Sequence, residues 1–537
     1  MPALGLGAFL WFLIRVVPKP SRAAYPCQRV AFPLASGFLV WLLGCLGATL
    51  AFRKARHHLY HTRYLLGGLC VVAAILSVWF SLSILGDPAT GSFVPSEGAN
   101  NPMGVAKGIY PGRVVWSHNA LATSWNGIDG YWWEDAHSDQ YVVDMMLSKT
   151  LCELTGEDSD AGAWEALFKY YNQEAGKGDV GYQSGEQIVI KINMNNSGTG
   201  NTIDASPQIV RGILRQLVHQ AHIDQTAITV YDAIGSIGSP VYNACYPEFP
   251  EVKYLSNSNI TWIADAITYS AEITNSNARR VPACVINAEY LINMAILKRH
   301  NVNAAVTLCA KNHFGTIGNP YALHPYVHHW ERGMGTYDPQ VDLMGCEHIG
   351  AKTILYIIDG LYGASGWGTI PIKWTSTPFN EDWPSSIFVS QDPVAVDSVG
   401  MDFLRAEWAL LDHADNYLHE AAQADNPPSG IIYDPENDET GLSSQGVHEH
   451  WNNNIIKQYS RNLGTGDGIE LITNRFIRLH PADLNYDNKV DIKDYCLLAS
   501  FWETQNEFAD MNGDLQINAA DLNVLSEGWL WNLQDKD

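Results

Sequence analysis

Short apolar runs alternate along the middle of the chain with stretches whose apolar residues recur at helical spacing. Ile188, Val189 and Ile190 form a β-branched run of the kind that buried parallel strands show. Ser206 before Pro207 predicts a helix start, with the serine as N-cap and the proline in the first turn. Ile209, Val210, Ile213, Leu214, Leu217 and Val218 continue that helix. Ile228 and Val230 open a second strand, which Asp232 closes. This strand–helix–strand unit puts Lys191, Asn193 and Asp232 at strand carboxyl ends, the edge at which open α/β sheets bind ligands.

The same alternation continues downstream. Val281 to Asn287 reads as a strand leading into Leu291 to Asn303, followed by Ala304 to Gly315. Thr353 to Asp359 and Ser386 to Ser390 are further apolar strands, and Asp392-Pro393 opens a helix that includes Asp397. Upstream, Ser138 caps a helix through Val142, Met145, Met146 and Leu151 that ends at Gly156. Asp232, Asp359 and Asp392 therefore follow strands, and Lys191, Lys298 and Lys311 lie in the same part of the chain. Carboxylates and amines so gathered suit an anionic ligand, a metal, or mutual pKa shifts for proton transfer. Plainer readings stand beside these. Asp392 is a good N-cap, Asp359-Gly360 a turn, Lys311-Asn312 a helix terminus, and Asp397 a solvated residue or local ion pair. His313, His324, His328 and His329 have ligand-like spacing. Gly-x-Ser-x-Gly, Walker-type and His-Glu-x-x-His motifs are absent from the sequence.

Two apolar stretches change the picture at the N-terminus. Phe32 to Phe52 and Leu65 to Leu85 are each 21 residues without charge, enough to cross a bilayer core. Ala3 to Val17 is shorter and carries Arg15. The expected fold class is α/β, a mostly parallel sheet with flanking helices, together with N-terminal transmembrane helices and a small all-α calcium-binding C-terminal domain. The expected division is a membrane region over 1–86, a linker over 87–112, an α/β domain over 113–477 and a calcium-loop domain over 478–537. Arg53, Lys54, Arg56 and Arg63 between the two spans favour a cytoplasmic loop and an exported C-terminal part, while Lys19, Arg22 and Arg29 pull the opposite way. A net charge of −24 argues against nucleic acid as a partner. Nine cysteines without a Cys-x-x-Cys pair give no zinc or iron–sulfur signature.

A family resemblance rests on motifs in order. Lys191-Ile-Asn193, Ser206-Pro207, Lys298-Arg-His300, Lys311-Asn312-His-Phe-Gly315, Asp359-Gly360 and Ser390-Gln-Asp392-Pro-Val-Ala-Val-Asp397 resemble the domain-of-unknown-function family 362. The match covers roughly Glu186 to Trp408. Ile192 stands where the family has proline, and the ferredoxin-type cysteines of some relatives are absent. The resemblance implies an active site among Lys191, Asn193, Asp232, Lys298, His300, Lys311, Asn312, Asp359 and Asp392. It supplies no reaction.

The tail carries an internal repeat. Asp483, Asn485, Asp487, Lys489, Asp491 and Asp494 recur 27 residues later as Asp510, Asn512, Asp514, Gln516, Asn518 and Asp521. Oxygen side chains fall at loop positions 1, 3, 5, 9 and 12, with Lys489 and Gln516 offering backbone carbonyls at position 7, the spacing a calcium ion requires. Each loop runs into an apolar helix, with Tyr495 matching Leu522, Leu498 matching Leu525 and Trp502 matching Trp529. The tail resembles a type I dockerin, which implies two Ca²⁺ ions and a cohesin-like partner. Position 6 is Asn488 in the first loop and Leu515 in the second, where glycine is preferred. Extracellular calcium suits such loops and favours export of everything after about Leu85. Three functions fit: a membrane-anchored extracytoplasmic enzyme on an anionic or metal-bound substrate, a cell-surface binding or scaffolding protein, or an accessory protein in polysaccharide breakdown with a small-molecule or polysaccharide ligand.

Overall fold

Alternation within one strand shows how the central layer is built. Along Tyr290–His300, Tyr290, Ile292, Met294 and Ile296 enter one apolar core, while Ala295 and Leu297 enter another on the opposite face. Such a strand is buried on both sides, as the pleat of a covered sheet demands. The computed structural model describes residues 53, 54, 60, 98–196, 200–271, 273–300, 305–327, 332–476, 480–486, 489–506 and 508–532. The chain divides into two units, Met1–Ser92 and Phe93–Asp537, and the second holds every strand of the sheet.

That sheet contains β1 (Arg113–His118), β2 (Ile188–Lys191), β3 (Ile228–Asp232), β4 (Lys253–Ser256), β5 (Tyr290–His300), β6 (Ala305–Thr307), β7 (Thr353–Ala364), β8 (Ser386–Ser390) and β9 (Glu470–Arg475). The order is β9-β1-β8-β7-β5-β2-β3-β4, with β6 paired to β5. From β7 through β5, β2 and β3 to β4 every pairing is parallel. β8 runs antiparallel to both β7 and β1, and β6 antiparallel to β5. One face is covered by α1 (Gln140–Thr155), α2 (Asp160–Glu174) and α3 (Pro207–Arg215). α4 (Cys309–Asn312), α5 (Pro393–Glu407) and α6 (Asn416–Ala422) pack on the other.

The expected fold class is corrected on two counts. The sheet is mixed rather than mostly parallel, because β7 and β8 are consecutive and pair directly, a connection that needs no crossover helix. An apolar run such as Ile387-Phe388-Val389 reports burial but not direction. N-terminal transmembrane helices find no support: among the described residues no helix is long and apolar enough to cross a membrane. Phe32–Phe52 and Leu65–Leu85 themselves lie outside the described residues. Local readings shift as well. The Val281 to Asn287 strand is two extended residues, Val281–Pro282, followed by a helical turn at Ala283–Ile286, and the long strand is Tyr290–His300. The N-cap of α1 is Asp139, whose carboxylate accepts from Tyr141 N and Val142 N, one residue after Ser138. Gly156 closes that helix in the left-handed conformation, as its position suggested.

Asp397 is neither solvated nor part of an ion pair. Fully buried in α5, it accepts from Cys309 N at 2.8 Å, Ala310 N at 3.0 Å and the Tyr417 hydroxyl at 3.1 Å. It therefore caps the short α4 from a different helix and fixes where Lys311 and Asn312 sit. Asp397→Ala strands two buried N–H groups, and chemical denaturation of the full chain should show a loss of roughly 2–4 kcal/mol.

Candidate active site and calcium loops

The parallel strands β2 and β3 end together, Lys191 lying opposite Tyr231, so that the ammonium of Lys191 meets the carboxylate that follows. Lys191 Nζ lies 3.2 Å from Asp232 Oδ2 and 3.1 Å from Asn312 Oδ1, and also donates to Ile192 O. Burial pulls the Lys191 pKa down, opposed by Asp232. Asp232 is further held by Met194 N at 2.9 Å, Ile234 N at 2.8 Å and Gly235 N at 3.0 Å. Its oxygens are thus committed to holding the strand ends. Asn312 stitches β2 to β5, donating to Asn293 Oδ1 at 2.8 Å and Met294 O at 3.0 Å. Gly315 packs so close that an added Cβ would lie 2.5 Å from Lys191 Nζ.

Above this floor lies a cleft of about 310 Å³ whose lining includes Lys191, Asn193, Asp232, His300, Lys311, Asn312, Phe314, His324 and Trp367. Lys298 is fully buried behind it and donates to Asn193 Oδ1 at 3.0 Å. Burial brings its pKa down to about 8 against the pull of Asp204 and Asp232. Lys311 Nζ faces His324 Nε2 at 3.2 Å and stands 3.7 Å over the Phe314 ring. Burial, with Lys298 adding to it and Asp338 opposing, lowers Lys311 to about 7. Burial and the neighbouring Lys311 hold His300 near 3 and His324 near 4, both neutral at physiological pH.

The structure thus brings Lys191, Asn193, Asp232, Lys298, His300, Lys311 and Asn312 together. Neither of the other two candidates lines the cleft. Asp359, pushed up to about 6 by burial, accepts from Ser206 N at 2.7 Å and Leu361 N at 3.2 Å, fixing the start of α3. Ser206 itself makes no side-chain cap bond. Asp392 leaves antiparallel β8 at the opposite edge of the sheet. Its carboxylate caps α5 through Val394 N and Ala395 N and also accepts from Lys107 N and Val447 N. The histidines do not form one cluster. His313 lies in the core against Asn293 Nδ2 at 3.0 Å, His324 lines the cleft, and His328 and His329 fall outside the described residues. Phe314, Thr307 and Trp367 were not singled out by pattern, because a cleft wall assembled from a strand end, a 3₁₀ turn and a loop leaves no periodic trace.

In the tail, Asp510, Asp514 and Asp521 bring carboxylate oxygens within 4.8 Å of one another. Asp521 also accepts from Met511 N and Asn518 N, which closes the second loop onto α8 (Ala519–Glu527). Asp494 repeats this on the first loop, accepting from Leu484 N and Asp491 N ahead of α7 (Ile492–Ser500). These oxygen-only donor sets suit calcium. Asn485, Lys489, Asp491, Asn512, Gln516 and Asn518 lie in these loops at the expected places, and Asp487 falls outside the described residues. Of the matched helix positions Leu498 and Leu525 are buried, whereas Tyr495, Trp502 and Trp529 are exposed. The tail also packs against α1. Asn506 Nδ2 donates to Asp139 Oδ2 at 3.0 Å, Lys149 Nζ to Tyr486 O at 2.6 Å, and the Tyr141 ring meets Phe508 at 5.0 Å.

A mixed α/β domain with a lysine-rich strand-end cleft is therefore followed by a paired calcium-loop module. Residues 188–402 match the family described as Domain of unknown function (DUF362), and residues 481–527 match the Dockerin type I domain. No curated protein matches the chain. The dockerin match supports calcium as the tail's ligand, a cohesin as its partner and a cell-surface or extracellular setting.

Lys191→Met should cost about 3–5 kcal/mol, since it leaves Asp232 buried without its cation. Lys311→Met should stay within about 1 kcal/mol of wild type, because among the described residues that amine forms no contact ion pair to abandon; denaturation curves compare the two. Leu515 sits at φ +62°, so the second loop should bind calcium more weakly than the first and Leu515→Gly should tighten it, as calorimetry on the full chain would show.

Proposed function

We propose that this chain is an extracytoplasmic enzyme that transfers a proton on a small anionic substrate held at the strand-end cleft, and that its dockerin domain fastens it to a cohesin-bearing assembly. One observation carries this reading: three lysines converge where Asp232 is the one carboxylate among the described residues lining the cleft, and that carboxylate is already engaged. A cationic pocket in a chain of net charge −24 selects for a negatively charged ligand. The unit over 113–477 does the chemistry, and 478–537 does the docking.

Lys191 and Asn312 form the rigid floor. Lys298 fixes the Asn193 amide, so that Asn193 presents a positioned polar group to the ligand. Lys311, lowered to about 7, is substantially unprotonated at neutral pH and accepts a proton from an acidic C–H or O–H of the substrate. The neutral imidazole of His324 accepts its hydrogen bond and aims it. The ammonium so formed then stabilises the negative charge left on the substrate. Polysaccharide cleavage fits less well, since glycoside hydrolysis uses two carboxylates facing the substrate.

The test is a turnover and thermal-shift screen of the purified chain against small carboxylates, phosphates and sulfates. Lys311→Met should keep the fold and reduce turnover roughly 10²–10⁴-fold. Turnover should rise with pH through about 7 as the amine loses its proton, while anion binding, which draws on the ammonium, weakens over the same range. A Lys311→Met protein as active as wild type would remove the proposed role.

A further inference from the structure

A second cluster lies in the covering helices, and none of its residues lines the strand-end cleft. Asp415 precedes α6, and His419 follows four residues later on the same helix face. His448 reaches them from the short strand Val447–His448. One ligand atom from each of Asp415, His419 and His448 lies within 4.8 Å of the other two, and all three residues are at least nine-tenths buried.

The hydrogen bonds around His448 decide its tautomer. Ser398 Oγ lies 2.7 Å from Val394 O and 2.8 Å from His448 Nδ1, and when its one proton goes to the carbonyl it accepts from His448 Nδ1–H. In that tautomer His448 Nε2 carries the lone pair, and this atom is buried without a hydrogen-bond partner. Asp415 is divided in the same way. Its Oδ2 takes Arg405 Nη2 at 2.7 Å, and its Oδ1 is buried with no partner. Two buried acceptors without a donor, in a cluster whose ligand atoms lie within 4.8 Å of one another, are costly. A cation satisfies both.

We propose that Asp415, His419 and His448 bind one divalent cation of the zinc class and so pin α6 to the Val447–His448 strand. Two imidazoles and a carboxylate are borderline donors that suit Zn²⁺, in contrast to the oxygen-only tail loops. Ser398 is the positioning residue that holds the His448 ring in its ligating tautomer, as the second partner of a metal-bound histidine commonly does. Beside the cluster, His450 bridges two carboxylates, its Nδ1 2.8 Å from Asp402 Oδ1 and its Nε2 3.5 Å from Asp415 Oδ2.

The test uses the untagged full chain, stripped with chelator and returned to millimolar Ca²⁺ so that the tail is occupied. One equivalent of Co²⁺ should produce visible d–d absorption that Zn²⁺ displaces, and Zn²⁺ should raise the melting temperature. His448→Gln and His419→Gln should abolish the Co²⁺ bands, while His137→Gln, outside the cluster, should leave them unchanged. Ser398→Ala should weaken Zn²⁺ binding by about tenfold or more. If His448→Gln does not fold, the wild-type titration and Ser398→Ala decide. A folded wild-type chain without Co²⁺ bands at one equivalent would overturn the proposal. So would bands of full intensity in both histidine variants, or unaltered affinity in Ser398→Ala.

Discussion

A lysine ammonium sealed from water must find every acceptor it needs within the protein, and Lys191 finds them in Asp232, Asn312 and the Ile192 carbonyl. That demand sets the geometry of the strand-end edge. The parallel register of β2 and β3 brings ammonium and carboxylate level. The chain at Gly315 passes where no side chain fits. Asn312 must lie on a helix whose first turn Asp397 caps from α5. Residues far apart in sequence are thus tied to one buried charge, and Lys311 stands on that frame.

The reversal of β8 sorts the acidic residues by edge. Asp392 has the sequence context of a site residue, yet it follows the one strand of the central stack that points away from Lys191. There it joins α5 to the segments at Lys107 and Val447. Asp359 is occupied by backbone amides in the same manner. Asp232, Asp359 and Asp392 are therefore all scaffold carboxylates, and of the three only Asp232 lines the cleft, among lysines, asparagines and histidines.

The tail combines attachment and exposure. Its inward faces, with Leu498, Leu525 and Phe508, join the core that includes α1. Tyr495, Trp502 and Trp529 stay exposed on the helices that follow the calcium loops. The tail thus leaves these apolar side chains exposed while its other face is held against the domain that carries it.

Local pattern determined a good deal. The β-branched runs gave β2, β3, β7 and β8, Ser206-Pro207 gave the start of α3, and the repeated oxygen spacing gave the paired tail loops that match a type I dockerin. These signals are readable because each depends on neighbours within a few residues. Family order also gathered Lys191, Lys298, Lys311 and Asn312 before any contact was known. Tertiary structure alone decided strand direction, and with it the place of Asp392. It also decided that Asp397 caps another helix, that Lys298 stands behind Asn193, and that Asp415 meets His448. Direction and long-range contact depend on which segments share a core. A buried run of isoleucine and valine reads the same whichever way it points.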